Sequence, residues 1–345
     1  MNKVKNTLFS NKPVTIDENS LIMAIESSCD ETACAIVRGG RKVLANVVAS
    51  QIKTHEKYGG VIPEIAAREH LEAVNVIVEE AFKQAGGVNG NDISAFAGTV
   101  GPGLVGCLLV GLNATKSLAL AYDKPFIGIN HLNAHLAANF IDTDLEPPFM
   151  ALLVSGGHTQ IIDVKSYTDM VIIGETIDDA VGEAYDKVAR LIGLPYPGGP
   201  KLDKLAQEGN PFAFQLPEGK VDGYNFSFSG LKTAVLRLVK GYTDKNLPLP
   251  TTDICASFQE CVSSTLLKKL KRALEERGYK QVVLAGGVAA NSEIRKKVFA
   301  LQDEGYKVFA PVMKYCTDNA SMVASAAFFL DNTFDNIDVE VFSRA

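Results

Sequence analysis

The segment LIMAIESSCDETACAIVRGGRKVLANVVAS, residues 21–50, predicts a meander of three short strands. Its apolar runs are interrupted by the polar turn Ser27–Glu31 and then by Gly39 and Gly40, which favour a tight reversal of the chain. Strands joined by turns this short pair antiparallel, because a parallel pair needs a long crossover. The predicted strands are Leu21–Glu26, Thr32–Val37 and Lys42–Val48.

The same pattern restarts in the middle of the chain, at FMALLVSGGHTQIIDVKSYTDMVIIGE, residues 149–175. Here too a strand, a turn of small residues, a second strand, another turn and a third strand follow one another. After each meander, runs with helical periodicity alternate with strand-like runs. This mixture predicts an α/β protein built from two domains with a cleft between them.

The chain termini complete the predicted organisation. The last helical run, Asn319–Leu330, is expected to pack back on the first domain. The N-terminal 20 residues are polar and lack the apolar segment of a secretory signal. We therefore expect a flexible extension over residues 1–20, a first domain over 21–130 together with 315–345, and a second domain over 131–314.

The composition is that of an ordinary globular protein. The 345 residues are 47% hydrophobic with a formal net charge of −6, which argues against non-specific coating of nucleic acid but leaves room for a local basic face. The 6 cysteines form no CxxC pair and predict reduced thiols. The longest weakly charged stretch, Val100–Thr115, is too short to span a membrane. We expect a cytoplasmic protein without a membrane segment.

The motif HLNAH, residues 131–135, raises the question of a metal site. Histidines four residues apart share one face of a helix, and imidazole is a common metal ligand. A zinc peptidase of the HExxH type requires Glu where this chain has Leu132, so the peptidase reading is disfavoured. Asp318 is a candidate third ligand, although this residue taken alone is better interpreted as the N-cap of the following helix. A plain helix with two polar residues remains the alternative for His131 and His135.

Several glycine-rich loops suggest a nucleotide-type ligand. The loops VSGGH, LAGGVAANSEIR and PYPGGPKLD each follow a strand or precede a helix, where backbone N–H groups can approach a phosphate. GPGLVG, residues 101–106, matches GxGxxG literally, but Pro102 and the preceding meander favour close helix packing over a dinucleotide fingerprint. The basic run 263–280 is interpreted as a solvated helix face, with a nucleic-acid footprint as the alternative.

Eight motifs follow one another along the chain: IESSCDETACAIV, VGPGLVGCLLVG, HLNAH, LLVSGGHTQI, GETIDDAVGEAYDKVARLIGLPYPGGP, FSFSGLKTA, LAGGVAANSEIR and CTDNASM. In this order they resemble the motifs of the bacterial tRNA N6-adenosine threonylcarbamoyltransferase family, once described as glycoproteases. The resemblance runs from about Leu21 to Leu330 and implies the actin-like ASKHA fold, a duplicated ribonuclease H-like architecture.

The resemblance also implies an acyl transfer reaction. The threonylcarbamoyl group of threonylcarbamoyl-AMP would pass to N6 of the adenosine 3′ of the anticodon, in tRNAs that read codons beginning with A, and AMP would leave. Asp30 would be the base near the acceptor amine. One iron or zinc ion would be held by His131, His135 and Asp318. The adenylate would be bound by Leu153, Val154, Ser155, Gly156, Gly157, Asp186, Gly199, Asp203 and Asn291.

Partners follow from the same resemblance. They are tRNA, a smaller paralogous subunit of the same fold (TsaB-like) and a small P-loop ATPase (TsaE-like), with ATP or ADP as a further ligand. The family motif usually reads HxEGH, so Asn133 and Ala134 replace an acid and a glycine here. Two other functions stay open: a kinase or ATPase of the same fold that uses Asp30 and the glycine loops, and a non-catalytic nucleotide-binding scaffold.

Overall fold

The computed structural model describes residues 3–6, 13–330, 335 and 337–344. Its contacts divide the chain into two units: Met1–Glu146 with Thr317–Ala345, and Pro147–Cys316. The strands are β1 (Lys3–Asn6), β2 (Pro13–Ile16), β3 (Leu21–Glu26), β4 (Glu31–Arg38), β5 (Lys42–Ser50), β6 (Ala95–Gly101), β7 (Phe126–Asn130), β8 (Phe149–Val154), β9 (Thr159–Ser166), β10 (Asp169–Glu175), β11 (Gln281–Ala285) and β12 (Lys307–Phe309). The helices are α1 (Ile52–Glu56), α2 (Pro63–Gln84), α3 (Val105–Ala121), α4 (His131–Ala137), α5 (Val181–Leu191), α6 (Gly198–Ala206), α7 (Ser229–Thr243), α8 (Thr251–Arg277), α9 (Ser292–Phe299) and α10 (Ala320–Phe329).

The first unit is built on a five-stranded sheet of order β5-β4-β3-β6-β7. The meander pairs antiparallel, and β6 and β7 add in parallel beside β3. Every residue of β3 is buried because α2 and α3 cover one face of the sheet and α10 packs on β3 and β4. Apolar side chains from both layers, such as Ile25, Phe96 and Leu112, form the core. The last helix, α10, belongs to this unit and contacts α4 and β3.

The second unit repeats the topology, with strand order β10-β9-β8-β11-β12. Its meander also pairs antiparallel, and β11 and β12 add in parallel beside β8. The apolar stripe predicted along α5, including Val181, Tyr185 and Val188, is buried in the core of this unit. The duplicated meander and the two-unit α/β fold predicted from the sequence are confirmed.

The boundary between the units differs from the expected one. Residues 131–146 belong to the first unit, whereas the sequence placed the boundary after Asn130. The reason is nonlocal packing: α4 packs against α10, and Ser325 Oγ donates a 3.1 Å hydrogen bond to the carbonyl of Ala137. The guanidinium of Arg41 also donates to the carbonyls of Thr143 and Leu145, at 2.6 and 3.0 Å.

The expected N-terminal extension lies partly outside the described residues. Residues 1, 2 and 7–12 are not described. The described part contains β1 and β2, which pair antiparallel with Lys3 opposite Ile16.

A carboxylate in the second unit caps the start of α7. Asp178 accepts hydrogen bonds from Phe228 N at 2.8 Å, Ser229 N at 3.3 Å and the hydroxyls of Ser227 and Ser229 at 2.5 and 2.8 Å. Although burial opposes it, these bonds lower the pKa of Asp178. The carboxylate thereby satisfies backbone donors that the helix itself leaves free.

Asp178→Ala is expected to destabilise the second unit by about 1 kcal/mol, the usual effect of losing a side-chain cap. The thermal midpoint should fall by about 2–4 °C at neutral pH. Because the folded-state pKa is depressed, this contribution exists above the unfolded pKa and disappears as the pH falls through the folded pKa. Thermal melts at neutral and acidic pH, with the exposed Asp303→Ala as control, measure both effects. An unchanged midpoint at neutral pH would contradict the capping role.

Candidate functional site

The two histidines of HLNAH lie at the start of α4, directly after β7. Asn130 caps the helix: its side-chain oxygen accepts hydrogen bonds from Leu132 N at 2.9 Å and Asn133 N at 3.4 Å. Since His131 and His135 are one turn apart, their rings share a face, with centroids 4.6 Å apart. The short, capped helix therefore presents both imidazoles in one direction.

Asp318 meets this pair from the other end of the chain. Its Oδ1 atom lies 3.2 Å from His135 Nε2 and 3.6 Å from His131 Nε2. The interpretation of Asp318 as an N-cap is wrong, because Asn319 caps α10 and accepts from Met322 N at 3.2 Å. The structure thus brings Asp318 to a histidine pair that lies far earlier in the sequence.

These three donors fit a divalent metal ion. One potential ligand atom from each residue lies within 4.8 Å of the others. Ligands of a tetrahedral zinc site at its usual bond lengths are about 3.4 Å apart, close to the two distances from Asp318. The ring nitrogen of His135 that faces Asp318 is Nε2, at 3.2 Å from Oδ1, so this atom is the one available to a metal ion.

The carboxylate of Glu26, which the sequence analysis missed, contacts the imidazole of His131 on the side away from Asp318. Glu26 is fully buried, and His131 Nδ1 lies 3.3 Å from its Oε2 atom. The same carboxylate accepts from Thr99 Oγ1 at 2.5 Å and from Ser28 N at 2.6 Å. This contact favours the tautomer with the proton on Nδ1, which leaves the lone pair of Nε2 facing Asp318. The available signal was a lone acid at the end of the otherwise apolar strand LIMAIE.

The electrostatics of the site are those of a cation site. Burial lowers the pKa of His131, but the nearby carboxylates of Asp318 and Glu26 raise it to about 9. Burial likewise raises the pKa of Asp318, yet His131 and His135 lower it to about 2. The pKa of Glu31 rises to about 9 through burial and repulsion from Asp318 and Asp30. Several carboxylates held this close favour a bound positive charge.

The turn that carries Asp30 lies beside this group and is held rigidly. His70 is fully buried in α2; its Nε2 atom lies 3.0 Å from the carbonyl of Cys29, and its Nδ1 atom lies 2.7 Å from Thr32 Oγ1. Gln51 N donates to the carbonyl of Asp30 at 2.9 Å. The carboxylate of Asp30 is half-exposed, so it remains accessible to a substrate.

Glycines of GPGLVG and of the following helix α3 serve packing in this unit. A Cβ atom on Gly103 would lie 2.7 Å from the carbonyl oxygen of Ser28, and one on Gly111 would lie 2.3 Å from Ser27 Oγ. Leu104 N donates to the Ser28 carbonyl at 2.8 Å, and Ser27 Oγ donates to the Cys107 carbonyl at 2.8 Å. This close approach of α3 to the turn is the packing interpretation favoured from the sequence.

The residues expected to bind adenylate all lie in the second unit. Leu153 and Val154 are fully buried, so only the backbone near them and the exposed Gly156 and Gly157 can approach a ligand. A Cβ atom on either glycine would meet no heavy atom within 4 Å. The loop is anchored by a 3.1 Å hydrogen bond from Gly182 N to the Ser155 carbonyl.

Asp186 and Asp203 each fix the start of another helix. Asp186 Oδ1 accepts from Gly198 N at 2.9 Å and Gly199 N at 3.2 Å. Asp203 accepts from Ser292 N at 3.1 Å and Ser292 Oγ at 2.6 Å. Asp186 therefore contacts the predicted binding residue Gly199, and Asp203 contacts Ser292, which follows the predicted residue Asn291. These hydrogen bonds give both carboxylates a structural role.

Asn291 and the second glycine loop lie at the same sheet edge as the first. Asn291 Oδ1 caps α9 through Ile294 N at 3.0 Å, and its Nδ2 atom donates to Gln259 Oε1 at 2.9 Å. Because β8 and β11 are parallel neighbours, their following loops are adjacent, and a Cβ atom on Gly286 would lie 2.3 Å from the Val154 carbonyl oxygen. Carboxyl ends of parallel strands are the usual ligand edge of an α/β sheet.

The basic run of α8 is a structural surface. Lys268, Lys271 and Arg272 form ion pairs with Glu218, Glu304 and Glu276, at 3.0, 2.8 and 2.7 Å. Lys269 donates to the carbonyl of Asn225 at 2.5 Å. These partners favour the solvated-face interpretation over a nucleic-acid footprint.

Comparison with known proteins identifies the family. The family model described as TsaD, tRNA N6-adenosine threonylcarbamoyltransferase, matches residues 42–325. The chain belongs to this family. The resemblance inferred from the eight motifs is thereby confirmed. The family name describes a transferase, so the chain is an enzyme of this class.

Curated relatives agree with the family match over nearly full length. The tRNA N6-adenosine threonylcarbamoyltransferase of Clostridium perfringens strain SM101 is 52% identical over 313 residues, covering 90% of this chain and 92% of the relative. The protein of the same name from Picosynechococcus sp. is 49% identical over 336 residues, covering 94% of each.

Solved structures support the fold. HypF of T. kodakarensis superposes with a TM-score of 0.64 at 13% identity, covering 95% of this chain and 51% of that chain. Together with the repeated sheet topology, this likeness places the TsaD-family chain in the ASKHA fold. Among the described residues, no helix is both long and apolar enough to cross a membrane.

Proposed function

We propose that this chain transfers the threonylcarbamoyl group from threonylcarbamoyl-AMP to N6 of the adenosine 3′ of the anticodon, in tRNAs that read codons beginning with A. The observation that carries the proposal is the family match over residues 42–325. The cluster of His131, His135 and Asp318 beside the Asp30 turn supports it with suitable chemistry. The donor is a mixed anhydride, which compensates for the weak nucleophilicity of an exocyclic adenine amine.

The reaction needs a proton acceptor, an orienting site and stabilisation of charge on the acyl donor. Asp30, half-exposed on its rigid turn, would accept the amine proton as the new N–C bond forms. The bond between the carbonyl carbon and the phosphate oxygen then breaks, and AMP leaves with the bonding electron pair. A bound iron or zinc ion would supply Lewis acidity for the acyl donor.

The loops of the second unit would bind the adenylate. Gly156 and Gly157 offer backbone N–H groups at positions where an added Cβ atom would meet no heavy atom within 4 Å. Asp186 would hold its loop in place through hydrogen bonds from Gly198 N and Gly199 N. Asp203 would do the same through the hydrogen bond from Ser292 N.

The partners we propose are tRNA, a TsaB-like paralogue and a TsaE-like ATPase, with ATP or ADP as an additional ligand, in the cytoplasm. The test is incubation of the purified chain with threonylcarbamoyl-AMP, an unmodified tRNA and these partners, followed by nucleoside analysis and measurement of AMP. Modified adenosine and AMP should appear in equal amounts. No modified nucleoside with all components active would refute the proposal.

The two imidazoles also make a kinase or ATPase activity of this fold the less favoured proposal. Such enzymes use Mg²⁺, which prefers carboxylate, phosphate and water oxygens over nitrogen ligands. Iron or zinc that stays bound through purification would favour the transferase, whereas a labile requirement for Mg²⁺ alone would favour the kinase.

Glu26→Gln is expected to weaken metal binding by about 10- to 100-fold while leaving the three donors in place. The reason is loss of the negative charge that orients and polarises His131 through Nδ1. Competition with a chelator of known affinity measures the change independently of turnover. Glu79→Gln, at an exposed position of α2, is the matched control. Equal metal affinity in both variants would show that Glu26 has no such role.

A further inference from the structure

A buried polar network connects α8 to the loop that leads into α9. Gln259 of α8, Tyr185 of α5 and Asn291 are all buried in the second unit. Gln259 Oε1 accepts a hydrogen bond from Asn291 Nδ2 at 2.9 Å and a longer one from the Tyr185 hydroxyl at 3.4 Å. Burial raises the pKa of Tyr185 well above its usual value, so its hydroxyl stays a donor. Because a buried polar group that loses its partner is costly, the network specifies one arrangement of its members.

The other end of the Asn291 amide is occupied as well. Its Oδ1 atom accepts a hydrogen bond from Ile294 N at 3.0 Å and thereby caps α9. An amide group is planar and carries its acceptor and its donor on opposite sides. The bonds to Ile294 and Gln259 together therefore fix the amide, with Oδ1 towards α9 and Nδ2 towards α8.

Asn291 ends the short loop that joins β11 to α9. Within this loop Asn291 N donates to the Val288 carbonyl, and Ala289 N donates to the Gly286 carbonyl, both at 2.9 Å. Gly286 in turn lies so close to Val154 that an added Cβ atom would approach the Val154 carbonyl oxygen to 2.3 Å. A displacement of Asn291 is therefore transmitted along residues 286–290 to the sheet edge where the adenylate is expected.

We propose that Gln259 is a positioning residue of the donor site. It holds Asn291, and with it residues 286–290, in the arrangement that binds the adenylate of the acyl donor. Gln259 is buried within α8, so it acts through Asn291 and not by contact with the donor. The inference rests on the proposed function, because that function places an adenylate at this loop.

The next residue of α8 offers a matched control. Glu260 also joins α8 to α9, through a 2.7 Å ion pair with Lys297, and the Ser264 hydroxyl bonds to both partners. Lys297 lies in the last turn of α9, six residues after Asn291. This contact stabilises the packing of the two helices at a point away from the loop. Its loss should affect stability and leave donor binding as it is.

The experiment compares Gln259→Met with Glu260→Gln in the full chain. Gln259→Met keeps the length of the side chain and removes the acceptor. It should raise the KM for threonylcarbamoyl-AMP and the Kd for AMP about 3- to 10-fold, the range expected for one hydrogen bond. The kcat at saturating donor and the affinity for the metal ion should stay unchanged, because only binding of the donor is affected. Calorimetric titration with AMP measures the Kd without turnover.

A double-mutant cycle with Asn291→Ala tests whether Gln259 acts through Asn291. In the Asn291→Ala background, Gln259→Met should cause no further increase in the KM or in the Kd for AMP. Gln259→Asn, which keeps an amide but withdraws it by one methylene group, should behave like Gln259→Met and replaces it if that variant folds poorly. Thermal melts monitor folding throughout.

The result that supports the proposal is a change in donor binding that appears in the Gln259 variants and not in Glu260→Gln. Both kinds of variant should lower the thermal midpoint, since each removes a polar contact between α8 and α9. Equal KM values in the two would show that Gln259 supports the fold alone and would overturn the proposal. An equal effect of Gln259→Met with and without Asn291 would overturn it too, as would a lower kcat at an unchanged KM.

Failure of this inference is separable from failure of the proposed function. If the wild-type chain modifies tRNA and the Gln259 variants keep the wild-type KM and Kd, only the role of Gln259 is wrong. If AMP binding depends on Gln259 while the wild-type chain forms no modified nucleoside, the positioning role stands and the transferase proposal fails. A wild-type chain that neither binds AMP nor modifies tRNA would refute both.

Discussion

Asp318→Ala is expected to abolish stable metal binding and to lower the rate of threonylcarbamoyl transfer by about 1000-fold or more. The carboxylate supplies one of the three donor atoms, and its Oδ1 atom lies 3.2 and 3.6 Å from the two imidazoles. A metal ion contributes several kcal/mol of charge stabilisation, and each 1.4 kcal/mol corresponds to about tenfold in rate. Metal content after dialysis and the yield of modified nucleoside measure the two effects separately.

Two further variants control this experiment. Asp338→Ala removes an exposed carboxylate of the same unit and should keep both metal and activity. Asp318→Asn keeps the shape of the side chain, so a loss of metal in this variant cannot be attributed to a cavity. Retention of one metal ion per chain by Asp318→Ala would show that the donor set has been assigned wrongly.

Asp30→Ala is expected to keep the bound metal and to lose about 100- to 10,000-fold in transfer rate, the usual contribution of a positioned general base. Asp30 is not one of the three donors, and its turn is held by His70 and Gln51 through backbone carbonyls. The site should therefore keep its shape. Single-turnover transfer with preformed threonylcarbamoyl-AMP isolates this step from the synthesis of the donor.

The neighbouring Glu31 provides the decisive comparison for Asp30. Burial and repulsion from Asp318 and Asp30 raise the pKa of Glu31 to about 9, which favours its neutral form, and a neutral carboxyl group is not a base. Glu31→Gln resembles that neutral form and is expected to retain most of the activity. If Glu31→Gln lost transfer while Asp30→Ala retained it, the proton acceptor would be Glu31.

The sequence predicted those features that depend on local spacing. The i, i+4 relation of His131 and His135 determines that both rings share a face once a helix forms. The two meanders follow from alternating apolar runs and turn residues, and both pair antiparallel as predicted. Asp318 was a candidate ligand from the sequence, but its assignment depended on the family resemblance, because Asp is also a suitable helix cap.

Features that depend on nonlocal packing could not be predicted. Glu26 ends an apolar strand, and only the approach of α4 from another part of the chain reveals its contact with His131. The unit boundary after Glu146 depends on the packing of α4 against α10, which leaves no local signal. Asp186 lies off the apolar stripe of α5, and only the structure shows that it binds the backbone of Gly198 and Gly199.

The candidate metal ligands come from two distant points of the chain. This separation determines when during synthesis the protein can bind its metal ion. More than half of the 345 residues separate His135 from Asp318. At ribosomal speeds of about 5–20 residues per second, the histidines emerge on the order of ten seconds or more before their carboxylate partner. Ion loading is therefore expected only after the last helix has been synthesised and docked, and a prematurely terminated chain would remain metal-free. Bound metal would thus report that translation and folding of the first unit are complete.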